Sequence, residues 1–141
     1  MVNIFVLAFL SIDNNTFLLA RRCSQAFGSG LYSLIGGKVK PGETALKAIQ
    51  REVFEETGVE IPHEGFSFVH ALHRKGTETE FVSLCFKVDI STMHEPYNKE
   101  PDKHDDMQFF NVNKMPENII LAHKQIIECI ENGIMYSEYG W

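Results

Sequence analysis

The chain is poor in cysteine, and the few it has form no pattern. Its 141 residues hold Cys23, Cys85 and Cys129, odd in number, far apart and in no Cys-x-x-Cys spacing. That excludes a disulfide-stapled scaffold and a zinc finger, and predicts free thiols in a reducing, cytoplasmic setting. Positive charge is scarce too: 13 Lys and Arg stand against 19 Asp and Glu, a net charge of −6 with His neutral. Such a chain is ill suited to gripping long nucleic acid, which depends on Lys and Arg neutralising phosphates. A small phosphorylated ligand stays open, because a divalent cation reverses the local sign. No run of about 18 apolar residues exists, so no membrane-spanning helix is predicted. The apolar start has no basic stretch ahead of it and meets the polar turn Asp13-Asn14-Asn15, so it reads as a strand and not as a leader. Repeats, linkers and low-complexity stretches are absent as well.

What is present suits one domain over residues 1–141. Residues 2–12 are rich in Val, Ile, Phe and Leu, a buried-strand signal, and residues 16–21 return as the second arm of a hairpin. A Gly-rich loop over 24–30 leads to a short strand at 31–35. Gly36, Gly37, Pro41 and Gly42 then read as a loop. A helix opens at Glu43 or Thr44 and stops at Gly58, where a C-cap glycine belongs. Strands at 66–73 and 81–88, a long polar loop at 91–106, a strand at 107–112 and a helix at 121–132 follow. The aromatic tail 134–141 reads as irregular. Strands on both sides of two helices predict an α/β fold with a mixed sheet and helices packed on its faces.

The helix at 44–57 carries the most information. At about 100° per residue, Leu46, Ile49 and Val53 form a core stripe. Glu52, Glu55 and Glu56 form a second stripe beside the small Ala45 and Ala48. Like charges three and four residues apart repel, and carboxylates at a helix C-terminus oppose its dipole. A solvated acidic face is the plain reading of three such residues alone. A divalent cation is the sharper one, since hard oxygen ligands suit Mg²⁺ or Mn²⁺. Arg51, directly before the first carboxylate, is placed to orient Glu52 or to clamp Glu43.

The run Gly37-x5-Glu43-x7-Arg51-Glu52-Val53-x-Glu55-Glu56-x-Gly58-Val59 resembles the Nudix box and departs from it at no defined position. The resemblance implies an α/β/α sandwich with a central mixed sheet, and a pyrophosphohydrolase that uses Mg²⁺ or Mn²⁺. It implies that Glu52, Glu55 and Glu56, with the main-chain carbonyl of Gly37, bind the cation. Glu52 or a neighbour would help activate water, and Glu43 and Arg51 would brace loop and helix. The substrate would be a small nucleotide, a nucleoside diphosphate linked to another group.

The stretch from Ala20-Arg21-Arg22 to Leu34-Ile35-Gly36-Gly37-Lys38-Val39 is similar to the MutT-like subgroup, which hydrolyses nucleoside triphosphates. That likeness nominates Arg22 for the substrate phosphates and Lys38 for substrate binding. Ile35 stands where many members have Pro, which leaves the base preference open. Asn118 falls where such proteins read a purine edge, with a helix N-cap as its rival role. Phe27, Leu34 and Phe81 are possible walls for the base. A further carboxylate, which this family often uses, is expected from Glu100, Asp105 or Asp106, with Asp105 and Asp106 favoured for adjoining the strand at 107–112. His70 and His73 read as structural, and His94, His104 and His123 carry no supporting context. The tail is expected to pack onto the domain or onto a second copy in a homodimer, with a lid over the substrate as the rival.

Within the hydrolase reading a (d)NTP pyrophosphohydrolase, for normal or oxidised nucleotides, leads. ADP-ribose, nucleotide sugars, dinucleoside polyphosphates and RNA ends follow. From other classes, a non-catalytic Nudix-fold binding module is opposed by the intact box. Isoprenoid diphosphate isomerisation wants extra Cys and Glu partners that the chain does not display.

Overall fold

The computed structural model describes residues 2–24 and 28–141; Phe27 lies outside them. Strands β1 (Val2–Ser11) and β2 (Thr16–Arg22) form the expected hairpin, with Asp13 accepting from the Asn15 amide at 2.8 Å. β3 (Tyr32–Ser33) and β4 (Ile35–Lys38) precede helix α1 (Ala45–Thr57). A 3-10 turn at His63–Gly65, β5 (Ser67–Lys75), β6 (Glu80–Asp89), β7 (His104–Asn111), helix α2 (Leu121–Glu131) and β8 (Tyr136–Tyr139) complete the order.

One mixed sheet runs β3-β2-β1-β6-β5-β8, with β4 added to β1 and β7 to β2. β1 pairs parallel with β6 and β5 parallel with β8; the other pairings are antiparallel. The alternation of β1 explains the layers. Val6, Ala8 and Leu10 face a core with Ala48, Ile49 and Val53 of α1. Leu7 and Phe9 face the opposite core, with Ala122, Ile126 and Ile127 of α2. A strand covered on both faces must be apolar at every position, hence the unbroken hydrophobic run. The result is the expected α/β/α sandwich. No helix among the described residues is long and apolar enough to cross a membrane, and the three cysteines are unpaired.

Four local expectations are corrected. Gly36 and Gly37 are not loop but strand, paired with Leu7 and Val6. A side chain at Gly36 would put its Cβ 2.9 Å from the Leu7 Cα and closer still to the Val6 carbonyl, so only a residue without Cβ lets β4 lie this near β1. β7 begins at His104, not at residue 107, because Arg22 and Arg21 extend the pairing to His104 and Asp106 across a bulge. The tail is not irregular: Tyr136–Tyr139 pairs with β5 from Ala71 to Arg74. His70, fully buried, anchors it structurally, its Nδ1–H donating to the Ile134 carbonyl at 2.7 Å and its Nε2 accepting from the Ser137 hydroxyl at 2.8 Å. Trp141 donates to the His73 carbonyl at 3.1 Å, so the tail packs back onto the domain. Finally, the N-cap of α2 is Ile120, not Asn118.

Candidate active site

Local chemistry places α1. Thr44 caps its start, accepting from the Lys47 amide at 3.2 Å. Gly58 ends it in the left-handed conformation, φ 75°, donating to the Phe54 carbonyl. Between those caps, Ala48, Ile49 and Val53 dock on the sheet. Glu56 is carried inward with them, to 5% exposure, while Glu52 stays half-buried beside β4.

Arg51 is the hub. Its guanidinium forks onto Glu43, Nη2 to Oε1 at 2.6 Å and Nε to Oε2 at 3.0 Å. Its Nη1 reaches Glu52 at 2.8 Å and Glu55 at 3.3 Å, and its Nη2 also donates to the Lys38 carbonyl at 3.3 Å. Both roles proposed for Arg51, orienting Glu52 and clamping Glu43, are thus present in one side chain. The Glu43 carboxyl, which also accepts from the Lys40 amide at 2.9 Å, is held down at about 2 by the guanidinium and then by that amide.

The two strand glycines meet two of the carboxylates. The Gly36 amide donates to Glu56 Oε2 at 3.0 Å. A Cβ on Gly37 would sit 2.6 Å from Glu52 Cδ, so Glu52 lies directly against that backbone. Burial first, and then the charges of Glu52 and Glu100, push the Glu56 carboxyl well above its ordinary range. Glu100 Oε1 is buried without a hydrogen-bond partner. His104 Nε2 lies 3.5 Å from Glu56 Oε1, and its imidazole is pushed down by burial and then by Arg22. Lys103 pairs with Glu100 at 3.2 Å.

The remaining expected residues divide between this cluster and the other face of the sheet. Of the three further carboxylates, Glu100 adjoins Glu56. Asp105 pairs with Arg21 at 2.6 Å, and Asp106 accepts from the Tyr32 hydroxyl and from Gln108 at 2.6 Å. Asp106 is lowered by the Tyr32 bond above all. Tyr32, Leu34 and Phe110 belong to the core on the α2 side, Tyr32 meeting Phe110 edge-on. Asn118 donates to the Gly30 carbonyl at 3.1 Å and accepts from the Tyr32 amide at 2.8 Å. Arg22 runs past Gly28 and Ile120, and among the described residues no ion pair involves it. Phe81 stacks edge-on against Phe5. His123, for which the sequence offered no supporting context, is buried and accepts from the Leu34 amide at 3.1 Å; burial holds it down at about 3, hence neutral. Glu100's approach and His104 escape a reading by spacing, because a long loop brings them to α1.

Among the described residues no three His, Cys, Asp or Glu side chains already stand where they would hold a metal ion. The donor set nonetheless fits a hard cation. Glu52 and Glu100 each repel the buried Glu56, and one Glu100 oxygen is buried without a partner. Carboxylates so arranged call for a positive partner that Arg51 and Lys103 only partly supply.

A three-layer sandwich with a carboxylate helix behind a glycine strand defines a class, and comparison with known proteins makes it specific. The family model described as NUDIX domain matches residues 3–129, and the chain belongs to that family. It is 33% identical over 96 residues to the oxidized purine nucleoside triphosphate hydrolase of Danio rerio, covering 65% of this chain and 56% of that one. To the ADP-ribose pyrophosphatase of Methanocaldococcus jannaschii it is 29% identical over 115 residues, covering 82% and 65%. The chain thus spans between about half and two thirds of the length of these relatives. A solved structure, the MutT NUDIX hydrolase from Burkholderia pseudomallei, superposes with a TM-score of 0.81 at 22% identity, covering 91% of this chain and 97% of that one.

Proposed function

We propose that the protein is a divalent-cation-dependent pyrophosphohydrolase acting on a (d)NTP, normal or oxidised, and releasing the nucleoside monophosphate and pyrophosphate. The observation that carries this is the convergence of Glu56 and Glu52 on the Gly36-Gly37 backbone, with Glu100 beside Glu56 and Arg51 bracing Glu52, Glu55 and Glu43. Glu52, Glu55 and Glu56 with the Gly37 carbonyl would hold Mg²⁺ or Mn²⁺. The chemistry that such a cation supplies when bound is neutralisation of charge on the phosphoryl oxygens.

The chain's own residues do the rest. Water adds to phosphorus, the anhydride P–O bond breaks, and pyrophosphate leaves with the electron pair. Glu52 or Glu56 takes the water proton. Glu56 suits the task by position, buried beside Glu52 with its Oε2 accepting from the Gly36 amide at 3.0 Å. Arg22 and Lys38 approach the phosphates. Asn118, whose side-chain amide donates to the Gly30 carbonyl while its main-chain carbonyl accepts from the Tyr32 amide, reads the base edge. The Danio rerio relative, named for oxidised purine nucleoside triphosphates, supports the triphosphate reading. The archaeal relative, named for ADP-ribose, supports the second reading, an ADP-ribose hydrolase.

The test is hydrolysis of dGTP, 8-oxo-dGTP, ADP-ribose and diadenosine tetraphosphate, with and without Mg²⁺, by wild type and Glu56→Gln. Turnover should require the cation and fall by about 10²-fold or more in the variant, the usual loss for a charge-stabilising group. Wild-type turnover in Glu56→Gln would refute the assignment.

A further inference from the structure

α1 ends badly by its own means. Its last turn holds no basic residue, yet Glu52, Glu55 and Glu56 crowd that end, against the helix dipole. Its final carbonyls need donors that the helix does not supply. They come from far along the chain. The Tyr97 amide donates to the Thr57 carbonyl at 3.0 Å, and the Lys99 amide donates to the Glu56 carbonyl at 3.1 Å.

Two side chains seat this segment. The Tyr97 ring lies on Gly58, where an added Cβ would come within 2.8 Å of Tyr97 Cζ. Gly58 thus has a packing reason to lack a side chain besides its left-handed backbone. Lys99 Nζ stands 3.6 Å from the centre of the Phe54 ring, on the outer face of the last helical turns, a close cation–π contact. The segment then turns back: the Glu100 carbonyl accepts from the amides of Lys103 at 3.0 Å and His104 at 3.1 Å, and Asn98 Nδ2 donates to the His104 carbonyl at 2.7 Å. That turn sets Glu100 and His104 beside Glu56. Glu56 is therefore gripped at both ends, its carbonyl by Lys99 and its carboxylate by Gly36.

We propose that Tyr97 and Lys99 are positioning residues for the cation site: together they strap residues 97–104 onto the end of α1 and so hold Glu100 and His104 against Glu56. This deepens the hydrolase reading and rests on it. Tyr97 is 55% exposed and Lys99 is exposed as well, so neither side chain belongs to the core, and their removal leaves the sandwich standing.

The test is Mn²⁺ binding to the full chain without nucleotide, read from the electron paramagnetic resonance signal of free Mn²⁺, beside a thermal melt. In Tyr97→Ala/Lys99→Ala the affinity should fall about fivefold, since the cation–π contact and the Tyr97 ring on Gly58 are both lost, with the melting midpoint lowered by about 4 °C at most. Lys99→Ala alone, which removes the contact with the face of Phe54, should lose about twofold, and Tyr97→Phe/Lys99→Arg should keep wild-type affinity, since the rings at 97 and 54 and the one cation at 99 remain. Undiminished affinity in the double alanine variant overturns the strap alone. A wild-type chain that binds no Mn²⁺ overturns the strap and the hydrolase reading together.

Discussion

Gly37→Ala separates catalysis from folding in a single methyl group. The new Cβ would stand 2.6 Å from Glu52 Cδ and 2.9 Å from Glu52 Oε2. Carbon atoms rest at about 3.5–4.0 Å, so the carboxylate must retreat by about 1 Å. It can do so, being the far end of a flexible side chain, but Arg51 Nη1 at 2.8 Å holds it where it is now. The displaced group leaves the proposed cation site. A misplacement of about 1 Å at a reacting centre costs on the order of 10²-fold in rate, which is about 2.7 kcal/mol of barrier. Stability should move the other way or not at all. Gly37 does not have the positive φ that alanine resists, and replacing a permissive glycine contributes about 0.4–1 kcal/mol through the unfolded chain. The assay is kcat on the best substrate of the panel, beside a urea melt of the same preparation. A variant with wild-type kcat would refute the packing of Glu52 on this backbone. One that lost both activity and several kcal/mol of stability would refute the separation.

Gly36→Ala should behave oppositely, since its Cβ meets the backbone of β1 and not a side-chain tip; a loss of about 3 kcal/mol in a urea melt is expected. Arg51→Lys should lower kcat about tenfold with little change in KM, because an ammonium cannot fork onto Glu43 while reaching Glu52. In the cation-free protein Glu56 should contribute less stability as pH rises, while His123 and His104, held neutral by burial, contribute more. Glu56 is raised in the folded state, so its contribution is complete below the ordinary 4.5 and declines as pH climbs through the folded value. Glu43 works in reverse: lowered to about 2, its contribution is present above 4.5 and disappears as pH falls toward 2. Melts at about pH 5 and about pH 8 should show wild type losing stability relative to Glu56→Gln as pH rises, a difference that added Mn²⁺ removes.

How much could be read beforehand depended on how local the cause was. α1 declares itself because its caps, Thr44 and Gly58, and its apolar spacing lie within one segment. The hub at Arg51 was legible for the same reason, its partners Glu52 and Glu55 being neighbours on the helix and Glu43 lying just before it. Gly36 and Gly37 misled because glycine signals a loop, whereas the reason for them is a close approach to β1 that only tertiary packing reveals. β8 was hidden because its short stretch neither alternates cleanly nor forms a hairpin; it borrows its order from β5. Asp105 and Asp106 were favoured as the further carboxylate for adjoining a strand, yet Arg21, Tyr32 and Gln108 already engage them. Glu100, from the middle of that loop, is the residue that arrives at Glu56, delivered by backbone bonds that leave no trace in composition.

The pairing of Ala71 with Tyr136 has a consequence for the newborn chain. A ribosome releases β5 with its outer edge bare, and that edge receives its strand only when residues 136–139 have been synthesised. Until then the imidazole of His70 lacks both its acceptor and its hydroxyl. A nascent polypeptide halted before that stretch exposes an open strand to chaperones and to its own siblings, so completion of this flank waits on translation of the far end.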